Sequence, residues 1–243
     1  MKHKTYICID DTDEIGSVIS TGMLAKNLAE FIEKNYSLTT FISRHQLLID
    51  DRIEYTSHNS SMCFTTFLTS EEKEKFIQFA INYLDETSVA SAKPGFAICF
   101  EDEISDISEF IKYGLRAKSE VLEINDAFDE AKKQNISLFG IRKEHIGVIG
   151  ALAGISLRLD GNDGRVKGKV KLKEGLAVVK EILENKEIEA VIDSEFKSLN
   201  LDERVLIKGS IKLIVKNSQA VLLVSKNKDG IYENQELEDL RKF

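Results

Sequence analysis

The apolar run Ile7-Cys8-Ile9 stops abruptly in Asp10-Asp11-Thr12-Asp13, and an amphipathic stretch follows from Ser20 to Lys34. A chain that passes straight from an apolar strand into three carboxylates has few ways to fold. The apolar part must be buried in a sheet, and the acids must stay at its end within reach of water, a cation or a basic side chain. Alternation along an extended chain puts Asp11 and Asp13 on one side and Asp10 on the other. Clustered carboxylates that stay ionised predict a metal site, with Asp11 and Asp13 as ligands. Magnesium is the expected ion: it prefers hard oxygen, often takes one or two carboxylates, and completes its shell with water and phosphate. A nucleotide phosphate is thereby implied. The helix-like stretch opens with Ser20, Thr21 and Gly22, and its free N–H groups and positive dipole end are suited to holding that phosphate. A plainer reading of the same residues stays open, in which Ser20 or Thr21 caps the helix and the acids are solvated loop residues.

The pattern beyond this feature alternates strands and helices, which predicts an α/β chain of mixed sheets with packed helices. A strand over 5–11 and a helix over 20–34 come first, with Leu24, Ala25, Leu28, Phe31 and Ile32 sharing a face. Residues 38–49 read as extended and 62–69 as a β-rich run. A helix follows over 71–85, with Phe76, Phe79, Ala80, Tyr83 and Leu84 on one side. The single proline, in Lys93-Pro94-Gly95, marks a turn before a buried strand from Phe96 to Phe100. Ile107, Phe110, Ile111, Gly114 and Leu115 recur at helical spacing, and a βα element is read over 121–134. An apolar helix runs from the glycine-rich segment around Gly150 to Leu157. Beyond the turn Asp160-Gly161-Asn162-Asp163-Gly164, Leu176, Val179, Ile182 and Leu183 describe an amphipathic helix, Ser210–Val215 and Val221–Ser225 a hairpin, and the acidic last dozen residues a solvated terminal helix. This predicts a main region over 1–173, with 61–118 as a compact inserted subdomain, and a smaller α/β lobe over 174–243.

Composition narrows the classes. At 243 residues and 42% hydrophobic the chain can bury a substantial core. No apolar run approaches the roughly 20 residues that cross a bilayer, so no membrane partner is expected and the cytoplasm is the default compartment. Cys8, Cys63 and Cys99 lack paired spacing, so a structural zinc site has no support and buried free thiols are expected. A formal charge of −8 opposes broad attraction to nucleic acid and favours a small substrate. Arg165, Lys167, Lys169, Lys171 and Lys173 nevertheless alternate with Val166, Gly168, Val170 and Leu172, which predicts one basic strand face able to contact phosphates or simply to protect a sheet edge.

Three further residues carry candidate chemistry. Arg44 is suited to clamping phosphate oxygens, and His45 and His58 to donating to them or shuttling a proton. Gly147, Gly150 and Gly154 allow either a helix terminus near phosphate or close helix packing. There is neither a Walker A lysine motif nor a G-x-G-x-x-G sequence, so any nucleotide site here has a different geometry.

Ile9-Asp10-Asp11-Thr12-Asp13 followed by Ser20-Thr21-Gly22-Met23-Leu24-Ala25 resembles the amino-terminal signature of archaeal agmatidine synthetase, which modifies a cytidine in an isoleucine tRNA anticodon. Arg44-His45-Gln46 with Tyr55-Thr56-Ser57-His58-Asn59-Ser60 resembles that family's second active-site stretch, and Gly147-Val148-Ile149-Gly150-Ala151-Leu152-Ala153 its glycine-rich helix start. The resemblance spans roughly residues 5–175. It implies a kinase-like domain that uses ATP and magnesium to activate a carbonyl for attack by agmatine, with Thr21, or Ser20 in its place, matching a phosphorylatable threonine. The family continues into an oligonucleotide-binding domain and a zinc ribbon, so a shorter relative is expected.

The function expected is an ATP- and magnesium-dependent kinase-like or ligase-like enzyme acting on a small-molecule or RNA acceptor, with a homo-oligomer left open. Asp11 and Asp13 hold metal, Asp10 assists or acts as base, and Thr21 or Ser20 meets phosphate beside Thr12 and Gly22. By resemblance, Arg44, His45, Ser57, His58, Asn59 and Ser60 line the opposite wall, with Gly147 and Gly150 at the helix start. The alternatives are a non-catalytic nucleotide or small-ligand binding protein, and an RNA-modifying subunit that needs a partner.

Overall fold

The computed structural model describes residues 1–55, 58–143, 145–241 and 243. It adopts the mixed α/β class and divides into two compact units, Met1–Asp160 and Gly161–Phe243. The division falls earlier than the 173/174 boundary drawn from pattern.

The first unit runs β1 (His3–Asp10), α1 (Thr21–Asn35), β2 (Ser43–Gln46), β3 (Ser60–Leu68), α2 (Ser70–Thr87), β4 (Gly95–Phe100), α3 (Ile107–Ala117), α4 (Ile124–Lys133), β5 (Ser137–Gly140) and α5 (Gly147–Asp160). Its strands lie in the order β5-β4-β1-β3-β2, every neighbouring pair antiparallel. The first six elements therefore make a split βαβ arrangement, β-α-β-β-α-β with β1 between β4 and β3. Residues 61–118 supply β3 and β4, the two strands that flank β1 in this sheet.

Alternation along β1 explains why both faces are covered. Ile7 and Ile9 join Phe64, Phe96 and Ile98 against Leu24, Leu28 and Ile32 of α1 and Phe76, Ala80 and Leu84 of α2. Tyr6 and Cys8 point the other way, joining Cys63, Ala97 and Cys99 against α3, α4 and α5. A strand buried on both faces reads as a continuous apolar run. The helices start where local chemistry predicts. Ser20 caps α1 by accepting from the Met23 N–H (3.2 Å), and Thr69 with Glu72 forms a capping box at α2.

Helix α5 is seated unusually close to the sheet because glycine is present at each approach. A Cβ on Gly150 would collide with the Asp10 carboxylate, and one on Gly154 with Cys8 Sγ and, at 2.5 Å, Ser61 Oγ. Backbone meets backbone between Gly95 at the start of β4 and Gly147 at the start of α5, whose N–H donates to the Lys93 carbonyl (3.1 Å). Close packing is thus one use of the glycine pattern.

Several expectations need correction. Over 121–134 the chain forms only the helix α4, and the strand comes after it as β5. Four residues entered through Asn135 in the left-handed region (φ 59) hold too little alternation to read. In the second unit the elements are β6 (Arg165–Val166), β7 (Gly175–Val178), α6 (Val179–Ile182), β8 (Ala190–Ile192), β9 (Arg204–Ile207), β10 (Ile214–Lys216), β11 (Gln219–Lys226) and β12 (Tyr232–Asn234). The basic strand over 165–173 is only two residues long: Gly168 turns the chain at φ 93, and Val170 forms an isolated bridge with Ile211. The five cations therefore do not form one face. The amphipathic helix read over 176–183 is β7 followed by a single helical turn. The acidic tail forms β12 and a turn that buries Leu240, in place of a helix.

Strand β11 organises this unit. It pairs antiparallel with β10 and β12 and parallel with β8, while β12 continues to β9 and β7. The β10–β11 hairpin turns through Asn217 and Ser218, both at positive φ (50° and 63°), which suits the right-handed twist of a two-residue loop.

Gly154→Ala tests the seating of α5. Helix propensity alone would stabilise the variant by about 1 kcal/mol, whereas the collision with Cys8 and Ser61 costs about 1–3 kcal/mol. The expected outcome is net destabilisation, read as a lower urea midpoint with unchanged slope.

Candidate functional site

Strand β1 runs out at Asp10, and the conformation of the next residue decides the site. Asp11 takes a left-handed conformation (φ 52), which aspartate tolerates better than branched residues, and its N–H donates to Asp10 Oδ1 (2.9 Å). The turn cancels the strand alternation. Asp10 consequently lines the same cleft as Asp11 and Asp13, where an extended chain would have sent it to the other side. Asp13 Oδ2 accepts the Thr21 N–H (2.9 Å), a carboxylate placed at the positive end of α1.

The cleft measures about 180 Å³, against the ~10–15 Å³ that one water centre occupies, so it is large enough for a small ligand. One wall holds Asp10, Asp11, Asp13 and Thr21, and a second is the start of α5 with Ile146, Gly147, Ile149 and Gly150. Arg52–Tyr55 and His58–Ser60 form the third, and Ala117 with Glu120–Glu123, between α3 and α4, close the fourth.

Burial sets the electrostatics. Asp10 is only 8% exposed, and its carboxyl is pushed up to about 8, first by burial and then by the charge of Asp11, against the lowering effect of the Asp11 N–H. Burial likewise raises Asp11, opposed by the backbone N–H and ammonium of Lys93. The Lys93 ammonium also donates to Glu54 Oε2 (2.6 Å), which joins the third wall to the acidic one. A cation between these carboxylates would relieve the repulsion and draw both values down. Among the described residues no three His, Cys, Asp or Glu side chains are grouped to hold a metal by themselves. Asp11 and Asp13 nonetheless fit magnesium, which is commonly held by one or two carboxylates plus phosphate and water.

The remaining sequence candidates separate into liners and supports. His58, Asn59, Ser60, Gly147 and Gly150 line the cleft. Thr12, fully buried, does not: its hydroxyl donates to Thr21 Oγ1 (3.0 Å), and its carbonyl accepts from Val89. Ser20 is occupied as the α1 cap, and buried Gly22 lies one position beyond Thr21. Arg44 stands behind the wall, its Nε donating to Ser60 Oγ (2.9 Å). His45 is wholly buried, with Nε2 2.8 Å from Ser43 Oγ, because β2 turns Ser43 and His45 inward together. Ser57 lies outside the described residues. Glu120, Leu122 and Glu123 reach the cleft from a link between helices, and no motif along the chain marks them. Arg52 and Glu54 had a weak signal, since they lie between two segments already singled out.

No protein-family model and no curated protein sequence matches the chain. Solved structures do. The fold is similar to that of the following structures. It matches a crystal structure of a tRNA fluorescent labeling enzyme with TM-score 0.54 at 22% identity, over 63% of this chain and 36% of that one. It also matches TiaS, the isoleucine-tRNA agmatidine synthetase, in two complexes. With its tRNA and ATP the TM-score is 0.55 at 21% identity, over 63% of this chain and 36% of that one. With its tRNA, AMPCPP and agmatine it is 0.55 at 16% identity, over 76% and 44%. At these identities the likeness is one of fold, and the chain spans less than half the length of the structures it matches. No helix among the described residues is long and apolar enough to cross a membrane.

The Asp10 carboxyl makes stability depend on pH. Its folded value of about 8 lies above the unfolded ~4. Between those two pH values the folded state holds a proton that the unfolded state has released, so stability falls as pH rises through the window. Asp10→Asn removes that loss. Its melting temperature should fall less than the wild type's between pH 5 and pH 9, by on the order of 5 °C, in parallel thermal melts.

Proposed function

We propose that the chain is an ATP- and magnesium-dependent enzyme of kinase-like or ligase-like type, acting on a small-molecule or RNA acceptor. The observation that carries this reading is the convergence of Asp10, Asp11 and Asp13 with the first turns of α1 and α5 on one cleft, in a fold shared with a structure solved with tRNA and ATP. Magnesium, when bound, offsets charge on the transferred phosphoryl group.

The chain's own residues do the rest. Asp11 and Asp13 supply the hard oxygen donors for the metal. The first turn of α1 is steadied by Asp13 at the Thr21 N–H and by Thr12 at the Thr21 hydroxyl, and Thr21 would meet phosphate at the cleft wall it lines. Asp10 is mostly protonated at neutral pH, and it would take a proton from the acceptor once a cation beside it had lowered its value. His58, Asn59 and Ser60 offer polar contacts from the facing wall, with Arg44 positioning Ser60.

A second reading draws on the same cleft. It is a nucleotide-binding protein without turnover, or an RNA-modifying subunit completed by a partner.

The test is ATP consumption with and without magnesium, with products resolved as AMP or ADP. Magnesium-dependent stabilisation by ATP is expected. Asp11→Asn should lower turnover by at least about 100-fold while the melting temperature without ligand is retained. Stabilisation by ATP with no product under any acceptor would favour the second reading, and absence of any nucleotide effect would overturn both.

A further inference from the structure

The broken basic stripe leaves one of its cations in an unusual position. Arg165 is only 7% exposed, and its Nε has no hydrogen-bond partner. A buried guanidinium with an unmatched donor is costly, and proteins generally pair such a group with an anion. Among the described residues no carboxylate is seen to hold it.

Its neighbourhood adds positive charge. Arg165 on β6 lies directly opposite Ile214 on β10, so the two side chains share a sheet face. Lys216, two residues along β10, is on that face too. Leu240 packs in the same apolar cluster as Ile214, with Phe243 against it, so the C-terminal turn lies across this face. Arg241 is the next residue after Leu240, close enough for its charge to depress Arg165 after burial has done so. Lys216 Nζ rests 4.3 Å over the Phe196 ring, and Phe196 meets Phe243 edge-on, which keeps this lysine beside the turn. The acid seen among these groups is Glu238, already 3.1 Å from Arg241 on a solvated edge.

We propose that Arg165, Arg241 and Lys216 form an anion subsite in the second unit that takes a phosphate group. A guanidinium offers a fork of donors matched to two phosphate oxygens, and neighbouring cations suit a dianion better than a carboxylate. The subsite does not depend on the acidic cleft or on the reading given to it. The group bound is either a free or terminal phosphate or a phosphodiester of an RNA backbone.

The full chain is titrated with inorganic phosphate in EDTA at constant ionic strength, chloride serving as control, and the melting temperature is followed. Phosphate should raise it above chloride and saturate. Arg165→Met should fold as well as the wild type, because an unmatched buried charge is removed, and should need at least tenfold more phosphate for the same rise. Arg241→Ala, on an exposed position, should weaken the response several-fold and guards against a folding defect at position 165. Competition by a short RNA with and without a 5′-phosphate separates the sources: dependence on the end group identifies a terminal phosphate, and equal competition a phosphodiester. Equal phosphate responses in the wild type and Arg165→Met, or no response beyond chloride, would overturn the proposal.

Discussion

The close approach of α5 to β1 is the contact on which the rest of the first unit depends. It is possible only because Gly147, Gly150 and Gly154 carry no side chain where the helix meets Gly95, Asp10 and Cys8. With that seating, the start of the helix becomes a wall beside the end of β1, and the Asp10 carboxylate is trapped against it. The same contact therefore shapes the cleft and raises the Asp10 pKa. A larger residue at any of these positions would separate the layers and return Asp10 to water.

The acidic cluster is tolerated because each carboxylate is answered differently. Asp13 is bonded by an N–H at the start of α1, Asp10 by the Asp11 N–H, and Asp11 lies under the influence of Lys93. Each acid has a backbone donor fixed by local geometry, and Lys93 adds the charge of its ammonium to its N–H. These donors hold the acids together without removing the mutual repulsion. Lys93 also holds Glu54, linking the acidic loop to the segment that carries His58 to Ser60.

Legibility followed the length and regularity of each element. β1, α1, α2 and β4 were readable because long apolar patterns, a serine cap and one proline marked them. β5, β7 and β12 are three or four residues long and carry no pattern of their own. The basic stripe misled for a related reason: alternation of residue types was present, but Gly168 adopts a backbone that a strand cannot continue through. In the site, the carboxylates and the glycines were visible as clusters, whereas His45 carried the right chemistry in a position that β2 turns into the core.

The sequence by itself determined that an apolar strand ends in three carboxylates ahead of a capped helix, because burial and local capping depend on residues a few positions apart. Only the tertiary structure decided that Asp10 joins Asp11 and Asp13, that His45 is internal, and that Glu120–Glu123 border the same cleft. The first rests on a single left-handed residue, the second on the pairing of β2 with β3, and the third on contacts between segments about a hundred residues apart. The left-handed residue and the distant contacts leave no periodic trace along the chain.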